Sequence, residues 1–215
     1  MTLEEIRAEV EIIALEPSFS QGDYDRVINE AMLEVAARVI IPDLKMIDVV
    51  LTVADDPVVN YVTLTGVKNG FSGVLRRVNN GTTGETVEVV ANLEALYDAY
   101  PDWNEAGDVE AVALEGRILW YQKVPVTAQS LVIMYTTNPD TLIEDDDETI
   151  FPKFLCRKLL VNGAARLIWD QIETDIEKPK VQTMFHTQQF EDGIVKYMEH
   201  LAKTKRHVIT SCWSI

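Results

Sequence analysis

Glu144, Asp145, Asp146, Asp147 and Glu148 form the densest run of potential ligands and proton carriers in the chain. Such a run could hold calcium or supply a carboxylate pair for hydrolysis. A calcium loop needs oxygens at alternating positions, a glycine in mid-loop and a distal glutamate, and the run has none of that spacing. Hydrolysis needs two carboxylates in unlike environments, so that one keeps a proton while the other stays charged, and five adjacent acids define no such difference. An acid-pair hydrolase using Asp145 and Asp147 therefore ranks third among the readings of this chain. The plainer reading is a solvated loop leading into a helix N-terminus, where the helix dipole favours negative charge.

The remaining chemistry is sparse. No phosphate loop, dinucleotide fingerprint, zinc-protease helix or nucleophile elbow occurs, and His186, His200 and His207 all fall late in the chain. His186 and His200 lie fourteen apart on one predicted helix, about 21 Å along its axis, too far to share a metal. They read as surface or interface residues. Cys156 and Cys212 make no paired motif and read as reduced structural thiols. Asn80-Gly81-Thr82 matches a glycosylation acceptor, but a hairpin turn calls for the same residues. No catalytic residue, metal or cofactor is expected. One segment instead suits a partner: Lys203, Lys205 and Arg206, then Val208, Trp213 and Ile215, place basic residues before apolar ones in a stretch without periodicity. An aromatic anchor on a loose tail makes sense where something buries it.

The chain has 215 residues, of which 47% are hydrophobic, enough for a packed core, and a formal charge of −16. That charge disfavours tight binding to phosphate backbones or anionic lipid. It is also uneven: residues 1–152 hold 28 acids and 9 bases, residues 153–215 hold 7 and 10. Opposite surfaces on one chain suit head-to-tail contacts between copies or docking on a partner of other charge. No window approaches a membrane span, and the acidic opening lacks the features of a secretory signal, so synthesis in the cytoplasm is expected.

Helical spacing covers residues 2–15, where Thr2 and Glu5 make a capping box, and residues 23–40, capped by Ser20 or Asp23 and stopped by Pro42. From 48 to 136 the period falls to two, with turns at Asn79-Asn80-Gly81 and Glu115-Gly116 and a short helix after Asn92. Helix returns at Pro152 and runs to about 174, and another opens after Lys178-Pro179 and continues through Leu201. The expected fold is α+β: a bundle of about four long helices, from residues 1–45 and 150–202, interrupted by an antiparallel β-rich insertion at 46–149 and followed by an extended tail at 203–215.

With the opening helix TLEEIRAEVEIIAL, the second helix YDRVINEAMLEVAARVIIPDL and the stretch ILWYQKVPVTAQSLVIMYTTNPDTLIEDDDETIFPKFLCRKLLVNGAARLIWDQ around a strand-rich insertion, the chain resembles the phage head-tail adaptor, or connector, family. The resemblance spans roughly residues 2–171 and lies in order and spacing. It implies a structural virion protein, made in the host cytoplasm and placed at the head-tail junction. Such proteins form rings, usually of twelve copies, beneath the portal protein, and continue the DNA channel to a tail or nozzle protein without binding the DNA specifically. The family's C-terminal segment typically reaches the portal, and the segment from Lys203 occupies that place here. The long β insertion is more like adaptors of short-tailed phages. The acidic loop at 144–148 would face the channel or a neighbouring copy. The alternative is a tail-completion or baseplate module whose β part binds another tail protein or a glycan.

Overall fold

The computed structural model describes all residues except 16–17, 54–60, 65–70, 103–104, 174–179 and 212–215, and describes the backbone but not the side chains of 61–62, 71–74 and 205–211. The chain divides into two compact units, Met1–Ile41 with Pro139–Ile215, and Pro42–Asn138.

The first unit is helical. Helix α1 (Leu3–Ala14) starts with the Thr2–Glu5 capping box and buries Leu3, Ile6, Val10 and Ala14. Helix α2 (Gln21–Arg38) starts with a second capping box, Ser20 with Asp23, and buries Val27, Ile28, Ala31 and Val35. In both, the cap supplies acceptors to backbone N–H groups that lack a partner in the first turn. A third helical run follows Pro152 in three pieces, α4 (Lys153–Cys156), a π turn (Arg157–Val161) and α5 (Asn162–Ile172). The backbone N–H of Asn162 reaches the Arg157 carbonyl, and its side-chain amide donates to the same oxygen at 2.8 Å. Asn162 Oδ1 lies 2.9 Å from Nδ1 of the buried His186, so one side chain satisfies the wide turn and ties it to the next helix. Burial keeps the His186 pKa below its usual value. Helix α6 (Val181–Ser211) begins where Glu173 accepts the backbone N–H groups of Gln182 and Thr183, both at 3.1 Å, and the Thr183 hydroxyl at 2.7 Å.

Glycine sets the close approach of these helices. A Cβ at Gly163 would stand 2.8 Å from Cβ of Ala31 and 3.1 Å from the Phe190 ring, and one at Gly193 would stand 2.9 Å from Cβ of Lys158. Phe190 is fully buried there, with the Arg166 guanidinium 4.7 Å from its ring centroid. Arg166 also pairs with Glu34, and Arg38 with Glu191, so acids of α2 and α6 balance bases on neighbouring helices.

The second unit is a seven-stranded sheet with strand order β1-β7-β3-β4-β5-β6-β2. The strands are β1 (Lys45–Leu51), β2 (Tyr61–Thr63), β3 (Phe71–Asn80), β4 (Thr86–Val90), β5 (Ala111–Glu115), β6 (Ile118–Tyr121) and β7 (Ser130–Thr137), with helix α3 (Leu93–Ala99) between β4 and β5. Val78, Val112, Leu119, Tyr121, Ile133 and Tyr135 fill its core. Gln129 is the polar fulcrum: its side-chain oxygen accepts from Asn80 Nδ2 at 2.8 Å and from the Val109 N–H at 3.1 Å, while its backbone exchanges hydrogen bonds with Thr52 at 2.9 Å. The turn expected at Glu115-Gly116 joins β5 to β6, with Gly116 at φ 61°.

Several expectations are overturned. The helical part is not a bundle of four long helices: α1 has 12 residues and the third run is split into pieces of 4, 5 and 11. The sheet is mixed and not purely antiparallel, because β4 and β5 run parallel with α3 as their crossover. Residues 203–211 are not extended but complete α6, which is 31 residues long. A helix already nucleated by packing adds residues cheaply, and no glycine or proline lies between Gly193 and Ser211 to interrupt it.

Gly163→Val is expected to lower stability by about 1–3 kcal/mol through overpacking. Gly22→Ala, with 3.9 Å to its nearest neighbour, is expected to gain up to about 1 kcal/mol from helix propensity. Urea midpoints for the two variants test this, and equal midpoints would contradict the packing account.

Candidate functional site

The acidic run lies in the helical unit, strapped across the start of α1. The N–H groups of Leu3 and Glu4 donate to the carbonyls of Asp147 and Asp145 at 3.0 and 3.1 Å, and Thr149 N–H returns to the Met1 carbonyl at 3.2 Å. Those are the donors a helix start leaves unpaired, so the loop acts as a second cap on α1. Asn29 of α2 clamps the approach to the loop, donating to the Leu142 carbonyl at 3.0 Å and accepting the Leu142 N–H at 2.8 Å. Arg7, almost fully buried, donates to Asp25 at 2.7 Å and to Asp145 at 2.9 Å.

The five acids thus have unlike roles. Asp147 turns inward and accepts the backbone N–H groups of Ile143 and Glu144 at 2.7 and 2.9 Å, which hold its carboxyl below the usual carboxylate range. Asp145 is tied to Arg7. Glu144, Asp146 and Glu148 are exposed and enter no ion pair among the described residues. The Asp145–Asp147 acid pair finds no support: a carboxylate stabilised by two backbone donors is a poor proton carrier at neutral pH. Among the described residues no three His, Cys, Asp or Glu side chains come together as metal ligands, and no helix is long and apolar enough to cross a membrane.

The other candidate segment is the end of α6. Phe154, on the first turn of α4, meets His200 edge-on with ring centroids 5.3 Å apart. The turns beyond residue 200 therefore run past the start of α4, and Lys203 is exposed on them. Lys205, Arg206 and Val208 lie on the same helix, and Trp213 and Ile215 fall outside the described residues. The basic segment and the acidic loop lie in the same unit as separate features.

Sequence reasoning passed over three groups at this end. Phe154, assigned to a partly apolar helical stripe, is 68% exposed. Lys158 and Lys196, on facing elements, line a groove of about 360 Å³ with Phe154, His200 and Lys203. The spacing of Lys196, His200 and Lys203 at i, i+4 and i+7 was the available signal, since such positions share one helix face. Partial burial, and then the nearness of Lys196, push the Lys158 pKa down. Cys156 beside them is buried and donates to the carbonyls of Phe151 and Pro152, both at 3.4 Å; burial raises its pKa.

No family profile matches the chain, and no curated protein shows significant similarity to it.

Asn29→Ala removes both partners of the Leu142 backbone and is expected to cost about 1–3 kcal/mol. It should also speed hydrogen exchange at the Leu142 amide. Because the folded Asp147 carboxyl titrates below its unfolded value, its contribution to loop order is present above the usual carboxylate pKa and is lost as pH falls through the lowered one. Faster exchange at the Ile143 and Glu144 amides, measured against neighbouring amides over that acid range, is the expected sign. In Asp147→Asn the pH-dependent part should vanish.

Proposed function

We propose that this chain is a structural virion protein, the adaptor ring that docks on a phage portal and continues the DNA channel toward the tail. The observation that carries the reading is the division of labour within the chain. The helical unit is assembled from sequence on both sides of a β unit, and α6 carries Lys203, Lys205 and Arg206 on its last turns. At 31 residues α6 is about 46 Å long, whereas the run from α4 through α5 is about 30 Å. A helix longer than the run beside it is a natural arm for a partner, here an acidic portal surface.

The rest of the chain suits the same role. A net charge of −16 repels the phosphates of DNA passing through a ring and leaves the basic end of α6 free to seek a protein surface. Neighbouring copies, twelve in the usual ring, would meet through the helical units, and the virion head-tail junction is the proposed location. The β unit presents Ile47, Val49 and Leu51, each more than 60% exposed, along one face of edge strand β1. Apolar side chains repeated on an edge strand invite contact with another protein, and the tail or nozzle component is the proposed occupant.

Mixing the purified chain with portal rings of its own phage, followed by negative-stain imaging, tests the proposal. A ring of added density under the portal is expected. Truncation after Ala202 should leave the melting transition of the helical unit in place and abolish that density, because loss of an anchoring segment is multiplied by avidity around the ring. Full-length chain that never binds portal would overturn the proposal. Truncated chain that binds with unchanged occupancy would move the anchor away from the end of α6.

A further inference from the structure

The groove between α4 and α6 stands apart from an otherwise acidic molecule. Lys158, Lys196, Lys203 and His200 line it, with Glu199 as the one acid among the lining residues. Lys158 makes a long ion pair to Asp192, at 3.9 Å, and donates to the Gln189 side-chain oxygen at 3.4 Å, and Lys196 and Lys203 have no acidic partner among the described residues. Two ammonium groups on facing elements repel each other, so an anion that enters between them is favoured twice, by attraction and by relief of that repulsion. Phe154 stands exposed at the mouth of the groove, its edge braced by His200. The site therefore combines an aromatic platform with a row of cations, which suits an acidic segment carrying an apolar residue.

The chain itself has such a segment. In the acidic loop, Ile143 is 71% exposed beside Glu144, Asp146 and Glu148. The loop is already rigid: Asp147 closes it through the N–H groups of Ile143 and Glu144, and its own N–H donates to the Glu144 carbonyl at 3.0 Å. A preformed tip loses little entropy on binding. We infer that the groove of one copy receives the acidic loop of the next, with Ile143 on Phe154 and the exposed acids against Lys158, Lys196 and Lys203. The contact joins two different patches, so it runs head to tail, the kind of contact that closes into a ring where its rotation permits. It deepens the adaptor reading, on which it rests, by naming the surface between neighbouring copies.

The test uses full-length chain at high concentration, as an equimolar mixture of ¹⁴N- and ¹⁵N-labelled copies treated with a carbodiimide that joins lysine to a touching carboxylate. Expected products are mixed-isotope links from Lys196 or Lys203 to Glu144, Asp146 or Glu148, at least tenfold fewer in 1 M salt. The double variant Lys196→Glu, Lys203→Glu and the triple variant Glu144→Lys, Asp146→Lys, Glu148→Lys should each lose self-association in sedimentation equilibrium. All five positions are exposed, so both variants should keep the wild-type melting curve. Mixing the two variants should restore association, because each then offers the charge the other lacks. Links only within single copies, links between copies at other surfaces, or failure of the mixture to recover would each overturn the inference. If wild-type chain assembles under portals and both variants assemble equally well, this contact is wrong and the adaptor reading survives. If wild-type chain assembles neither alone nor on portals, both fall.

Discussion

The helical unit depends on the strand of chain at residues 139–152 being held against α1 and α2. Two stretches of sequence separated by the whole β unit must meet there, and closing a loop of that length costs about 4 kcal/mol in chain entropy plus a constant. Several groups offset it together. The loop carbonyls cap α1, Asn29 closes both hydrogen bonds of Leu142, and Arg7 bridges Asp25 and Asp145. Arg7 is the most exacting of these, because a guanidinium taken out of water must find acids on both sides or destabilise the site. Remove Asp145, and Arg7 keeps only Asp25 from that pair. The acidic run thus has a structural reason for part of its charge, and the acids that lack one, Glu144, Asp146 and Glu148, point outward.

That division between inward and outward acids explains what was legible in the sequence. A run of five acids before a helix was readable as a loop, since nothing apolar in it could be buried. Which acid faced which way was not readable, because the answer lies in Arg7, Asn29 and the start of α1, more than a hundred residues away. Local signals did better. The Thr2–Glu5 box, the cap at Ser20, the cap at Asn92 and the glycine turn after Glu115 all involve residues within a few positions of one another, and each has its expected place. The parallel pairing of β4 with β5 was hidden, because β-spacing marks strands and says nothing about which strand lies beside which.

The end of α6 failed for a different reason. Residues 203–211 have no apolar stripe, and spacing alone gives no sign of the helix they form. Amphipathic spacing reports packing, not helicity: a helix needs only to continue from a turn already formed, and Lys203, Lys205 and Arg206 continue it readily. Read that way, the missing stripe is informative. It falls where the chain turns basic, at Lys203, Lys205 and Arg206.

Geometry at the other end of α4 shows the same logic in miniature. The π turn at Arg157–Val161 inserts one extra residue into the helix, and Asn162 absorbs it by serving Arg157 and His186 at once. Gly193 lets α6 approach the turn closely enough for Lys158 to sit over it. Straightening the turn would rotate α4 by about 100° relative to α5, since each helical residue advances by that angle. Phe154 would then leave the face shared with His200 and Lys196. The cationic groove therefore exists because of an irregularity within the helix, held in place by an amide and a glycine that carry no charge of their own.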